Sequence, residues 1–373
     1  MTSDKPRYAA LDVFRGLTIF LMILVNTPGP GAHPWPFLVH ADWFGFTGAD
    51  FVFPSFLFAM GSALVFVLAR PMSHGEFLAR SFKRAGLLFL IGFLMFWYPF
   101  VKVTPDNHFA LFPFADTRFL GVLQRLAVCY ALAAVAVRFL KPKQIVVLCI
   151  GILVLYWALM VFCAAPGMAF DKVNNFGSVV DRLLIPQSHL YRWDDGFEPE
   201  GLLGNLPATV NVLAGYLACR YIVSAPATIG RVQVVAFGGV ALAITGLFVS
   251  AFVPLSKKLW TDSFVLVTVG LDLVLLALLV AVLDVMRLPV RTGFFEILGK
   301  NPLAVYLLSE MLMLTQALAK PFTGVEPYRW IGVEVFQRLA PGPAGSFLCA
   351  LVYTLACWLF GYLLYRKRVF VRL

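Results

Sequence analysis

Apolar runs about as long as a bilayer is thick recur along the whole chain, separated by short polar segments. Uncharged or nearly uncharged stretches fall near 9–26, 47–69, 85–101, 118–138, 144–165, 202–219, 232–254, 263–283, 294–318 and 345–365. A helix rises about 1.5 Å per residue, so about 20 apolar residues cross the hydrocarbon core. The pattern predicts an all-α polytopic membrane bundle of about ten helices. No low-complexity tract or short repeat interrupts it. The longest extramembrane stretch, 166–200, is long enough to fold over the bundle but too short for an independent domain. The chain therefore reads as one membrane-embedded domain over residues 1–373.

The polar segments carry the orientation. With the N-terminus inside, 17 Lys and Arg residues, from Lys5 and Arg7 to Arg366, Lys367, Arg368 and Arg372, fall on the cytoplasmic side and nine on the other. The positive-inside rule then places both ends in the cytoplasm. Composition agrees: 60% of residues are hydrophobic and 13% charged, against about 25% charged in soluble domains. The net charge of +10 lies in short clusters between spans, which is topology signal and not a nucleic-acid stripe. Residues 1–8 are polar and the first apolar run lacks a small-residue cleavage site, so that run is expected to stay in the mature protein. All six cysteines lie in apolar runs without a CxxC pair, as buried small residues do. The five histidines have no close helical spacing, so no metal site is expected.

Ionisable side chains inside spans are costly and need a partner or a function. Asp12 and Arg15 share a helix face in the first span, as a local ion pair or as part of a site. Arg125 and Asp272 lie deeper and either pair with each other or line a cavity. The densest polar signal is at the external end of the first two spans, where Asn26 is followed by TPGPGAHPWPFLVHADWFGFTGADFVFPSFLFAMG, free of Lys and Arg. His40 sits there with Asp42, Trp43 and Asp50 close in sequence. A histidine at an interface is often only an interfacial side chain. Its ordinary pKa near 6.5 also makes it the default general base at neutral pH.

RYAALDVFRGLTIFLMILVN followed by HADWFGFTGADFVFPSFLFAMG resembles the opening of the heparan-α-glucosaminide N-acetyltransferase family. The likeness continues through GVLQRLAVCYALAA, VDRLLIPQSHLYR, EPEGLLGNLPATV, LWTDSFVL, GKNPLAVYLLSE and YLLYRKRVF, and so runs along essentially the whole chain. The chain is similar to the short bacterial members, associated with N-acetylglucosamine utilisation. The resemblance implies a multi-pass inner-membrane enzyme that moves an acetyl group from cytosolic acetyl-CoA to the amine of an external terminal glucosamine. It puts His40 at the family's active-site histidine and Asn26 at its partner asparagine.

On this reading His40 is the general base, and Asn26 faces the developing oxyanion or orients the imidazole. An acetyl-histidine intermediate at His40 is the alternative route. Asp50, Trp43, Trp260 and Glu310 are expected to meet the acceptor. Arg15, Arg80, Arg84, Arg125 and Arg366 are expected near the CoA phosphates, because guanidinium forks suit phosphate. The linking loop TPGPGAHPWPFLV is longer than in the animal enzyme and WFGFT replaces WNGLT. The chain also has no counterpart of the animal enzyme's long lumenal N-terminal region, so an acceptor other than heparan sulfate is expected. Expected partners are the lipid bilayer and the acceptor sugar, with no nucleic acid, and a homodimer stays open. The competing class is an amino-sugar transporter with Asp50, Arg125, Asp272 and Glu310 along a polar path.

Overall fold

The computed structural model describes residues 8–106 and 108–371. Lys5, Arg7 and Arg372, counted above toward orientation, lie outside the described residues. The long helices are α1 (Ala9–Asn26), α2 (Gly48–Leu68), α3 (His74–Trp97), α4 (Val122–Phe139) and α5 (Pro142–Phe162). A short α6 (Phe176–Leu184) precedes α7 (Asn205–Val223), α8 (Ile229–Val249) and α9 (Asp262–Leu279). A short α10 (Gly293–Lys300), α11 (Pro302–Gln316) and a C-terminal helix, Pro343–Arg366, complete the bundle. Among the described residues nine helices are long and apolar enough to cross a membrane. The chain is a polytopic helical membrane protein, as its sequence predicts.

The remaining expected span, 85–101, belongs to α3, which starts earlier. Ser73 caps it by accepting from the Glu76 N–H at 3.1 Å, and Glu76, Arg80, Lys83 and Arg84 fill its first turns. Those charges give α3 a polar first half. The chain then leaves the helix, with Pro99 two residues past Trp97, and Val101–Val103 pairs antiparallel with Phe109–Leu111. The expected span 294–318 is two helices. Asn301 interrupts it with φ −132° and ψ 46°, since a residue before proline is pushed out of helical geometry. Its side chain is used elsewhere: it donates to the Val369 carbonyl and accepts from the Val371 N–H, each at 2.9 Å.

The middle of the bundle is α1, α2, α4, α7 and α9, which hide more than half of their apolar windows, whereas α5, α8 and the C-terminal helix leave most of theirs for lipid. Small residues set the closest crossings. A Cβ on Gly61 of α2 would lie 1.8 Å from the Val212 carbonyl oxygen, and one on Gly215 of α7 would lie 2.0 Å from that of Phe58. Gly16 and Gly299 do the same between α1 and α10, the small-residue packing that membrane helices use in place of a hydrophobic drive. Of the cysteines, Cys129, Cys219, Cys349 and Cys357 are buried, but Cys163 is exposed just past α5, where the helix has already ended.

Candidate active site

The loop between α1 and α2 returns to the start of α2 and is fixed there by one carboxylate. Asp50, in the first turn of α2 and fully buried, is the third residue after Thr47 and closes the turn by accepting from the Thr47 N–H at 3.0 Å and hydroxyl at 3.1 Å. The same Oδ2 accepts from the Ala41 N–H at 3.2 Å. Oδ1 is left for His40, whose Nδ1 lies 2.9 Å away. An ionised carboxylate only accepts, so the proton on Nδ1 is directed at Asp50 and Nε2 presents its lone pair. Asp50, expected on the acceptor surface, is thus the group that orients the imidazole.

His40 lines a cavity of about 490 Å³ together with Asn26, Pro28, Pro34, Leu38 and Glu310. Asn26 ends α1 exposed to this space, and among the described residues its side chain and His40 share no hydrogen bond. Glu310 reaches it from α11. The structure therefore brings His40, Asn26 and Glu310 together. It holds Trp43 and Trp260 apart from the cavity. The Trp43 Nε1–H donates to the Phe170 carbonyl at 2.9 Å and the ring packs edge-on to Phe197, tying down the 166–200 segment. Trp260 is 1% exposed and donates to Asn211 Oδ1 at 3.0 Å.

Lys257, from the loop between α8 and α9, places Nζ 3.1 Å from His40 Nδ1 and 3.0 Å from Nε2. An atom equidistant from both ring nitrogens lies over the ring and not along a single lone pair. That loop is itself pinned to the His40 loop by the Gly45 N–H, which donates to the Leu255 carbonyl at 2.8 Å. Burial pushes the Lys257 ammonium down to about 8, against the pull of Asp50 and Glu200. Burial also lowers His40 below its ordinary value, with Lys257 adding to that and Asp50 opposing it. Burial works to raise Glu200, but Arg118 and Arg125 outweigh it and hold it below the ordinary glutamate range. Arg118 donates to Glu200 at 2.6 Å and, through Nε, to Glu198 at 3.1 Å. Sequence reasoning missed Lys257 and Glu200. Lys257 lies two residues before the stretch LWTDSFVL and Glu200 inside EPEGLLGNLPATV, but nothing in spacing says that these chain-distant charges converge on His40.

At the opposite end of α1 and α2 lies a groove of about 1000 Å³. Its cations are Arg15, Arg70, Arg80, Lys83, Arg84 and Lys300, and its apolar wall includes Phe56, Ala59, Met60 and Leu126. Arg15 donates to the Gly299 carbonyl at 3.1 Å, a contact permitted by the close α1–α10 crossing. Arg84 stacks over Tyr130 at 4.8 Å, and its Nε is buried without a hydrogen-bond partner. Arg80 pairs with Glu76 at 2.7 Å on the exposed rim. Two expected phosphate ligands are elsewhere. Arg125 lies over the Trp260 ring at 4.9 Å and donates to the Gly201 carbonyl at 3.3 Å. Arg366, at the end of the C-terminal helix, lies over Tyr362 at 6.0 Å and does not line the groove.

From Val67 to Phe56 the groove follows eleven residues of α2, about 16 Å at 1.5 Å per residue. Six more residues, about 9 Å, lead from Phe56 to Asp50. The histidine–carboxylate pair thus lies at one end of the α1–α2 helix pair and the cationic groove at the other.

Known proteins agree with the resemblance read from the sequence. The family profile described as heparan-alpha-glucosaminide N-acetyltransferase, catalytic, matches residues 7–174, a region that holds Asn26, His40, Asp50 and the groove arginines of α1 and α3. Heparan-alpha-glucosaminide N-acetyltransferase of Homo sapiens is 26% identical over 425 residues, covering 99% of this chain and 60% of the human protein. Its Mus musculus counterpart is 26% identical over 428 residues, covering 99% of this chain and 61% of the mouse protein. The likeness to these two relatives extends over nearly the whole chain, while the chain spans about 60% of their length.

Proposed function

We propose that the protein is a transmembrane acetyltransferase that takes an acetyl group from acetyl-CoA at the cationic groove and passes it to an amino-sugar amine in the His40 cavity. The observation that carries this reading is the pairing of the two spaces along α1 and α2, one basic and apolar-walled, the other holding an oriented imidazole. CoA phosphates match Arg15, Arg84 and the rim arginines, and the pantetheine arm matches Phe56, Ala59 and Met60 along the groove. The thioester then lies toward the His40 end. The acceptor's ammonium enters beside Glu310, gives a proton to His40 Nε2, and attacks the thioester carbonyl carbon. The C–S bond breaks, the proton on His40 goes to the departing thiolate, and the second proton lost by the former ammonium leaves the new amide nitrogen for solvent. Asn26, exposed to the same cavity, supplies an NH₂ donor for the oxyanion, since Asp50 already performs the orienting task.

With the groove in the cytosol, both ends of the chain are cytoplasmic and the acceptor is external, in keeping with the bias of basic residues. The bilayer is then the plasma (inner) membrane. The polar groups that a sugar transporter would need do not converge: of Asp50, Arg125, Asp272 and Glu310, Glu310 alone lines the His40 cavity. The direct test incubates purified protein with acetyl-CoA and glucosamine and follows thiol release. Thiol release that requires the sugar is expected. No release, with no binding of acetyl-CoA by calorimetry, overturns the reading.

A further inference from the structure

His40 has two charged neighbours in contact that pull its proton in opposite directions. Asp50 favours the imidazolium by accepting from Nδ1. The Lys257 ammonium, 3.0 Å from Nε2, donates to a neutral ring and repels a charged one. Near-equal distances to both nitrogens place its charge over the ring. The remaining charges facing this pair are Lys258 on the same loop, Arg125 from α4, Glu200 from the segment before α7, and Glu310 across the cavity. Lys258 is occupied by an ion pair with Asp194 and Arg125 by the Gly201 carbonyl and Trp260. Lys257 is the cation in contact with the ring.

We propose that Lys257 is a positioning residue that keeps the His40 imidazole unprotonated until the acceptor arrives. The inference rests on the reading of His40 as general base. A base that already holds a proton cannot take one from the acceptor's ammonium. At an interfacial site beside a buried carboxylate, an imidazole without Lys257 would be drawn toward its charged form by Asp50. The acceptor ammonium then donates to the free Nε2 lone pair, and Glu310 and Glu200 offer counter-charge to the two cations. The direction of the His40 shift agrees with this, burial being its largest cause and Lys257 acting in the same sense.

The test is a histidine NMR titration of His40 in the detergent-solubilised protein without substrates, alongside pH profiles of kcat/KM with one acceptor throughout. In the parent, His40 should titrate below the ordinary value near 6.5. Lys257→Met should raise that midpoint, and the acid limb of kcat/KM with it, by about one pH unit. Lys257→Arg keeps the charge and should keep the parent midpoint. A melting shift with acetyl-CoA, whose groove lies at the other end, verifies that each variant is folded. An unchanged His40 midpoint in Lys257→Met, with activity lowered equally at every pH, assigns Lys257 a structural role and overturns the proposal. Absence of transfer by the parent removes the general-base reading instead, whatever the titration shows.

Discussion

The two ends of the α1–α2 pair are built on opposite plans. Around His40 nearly every polar group has its place: four donors converge on Asp50, and two loops are tied together by backbone. In the groove the cations are numerous and less committed, with Arg84 Nε buried and unpartnered and Arg70 and Lys83 on the exposed rim. A reacting group gains from preorganisation, because small misplacement costs rate steeply. A site for a polyanion gains from summed charge, which tolerates the loss of one contact. Changes at the His40 end should therefore act on turnover, and changes in the groove on affinity.

The largest effect is expected at His40. His40→Ala should lower transfer by about 10²-fold or more while leaving the melting shift with acetyl-CoA in place. His33→Ala is the control: His33 is exposed in the same loop and makes no contact with Asp50, so transfer should stay near the parent rate. Parent-level transfer by His40→Ala would leave the oriented imidazole without a catalytic task.

A smaller effect is expected at the other end. Arg15→Ala combined with Arg84→Ala should raise KM for acetyl-CoA by about 10-fold, on the strength of charge-assisted phosphate contacts, with kcat close to the parent. The effect should shrink as salt screens the rim. Arg366→Ala, outside the groove, should change KM less than about twofold, as surface charges do. Initial rates over an acetyl-CoA series separate the two parameters. A fall in kcat at constant KM for the arginine pair would erase the division of labour.

Much of this arrangement is legible in the sequence, and for identifiable reasons. The apolar runs mark the spans because lipid imposes one strong constraint, and Ala9–Asn26 ends where the chain itself turns polar. The same runs mislead where helices are amphipathic or interrupted. α3 hides its first half behind Arg80, Lys83 and Arg84, which face a groove and not lipid, and Asn301 breaks a run that hydropathy reads as continuous. Among site residues, His40, Asn26 and the groove arginines sit on a local motif or a span end. Lys257 lies 217 positions from His40, and its role depends on a tertiary meeting of two loops. Arg125 reads as a phosphate ligand because guanidinium forks suit phosphate, yet it lies over Trp260 and donates to the Gly201 carbonyl.

The proposed mechanism has donor and acceptor meet the protein from opposite faces of the membrane. It is tested most directly in sealed vesicles containing protein of one orientation, with acetyl-CoA in one compartment and glucosamine in the other. The acetylated sugar should accumulate on the His40 side and free CoA on the side of the basic groove, with no transfer when the two substrates are exchanged. Transfer only when both substrates share a compartment would contradict it.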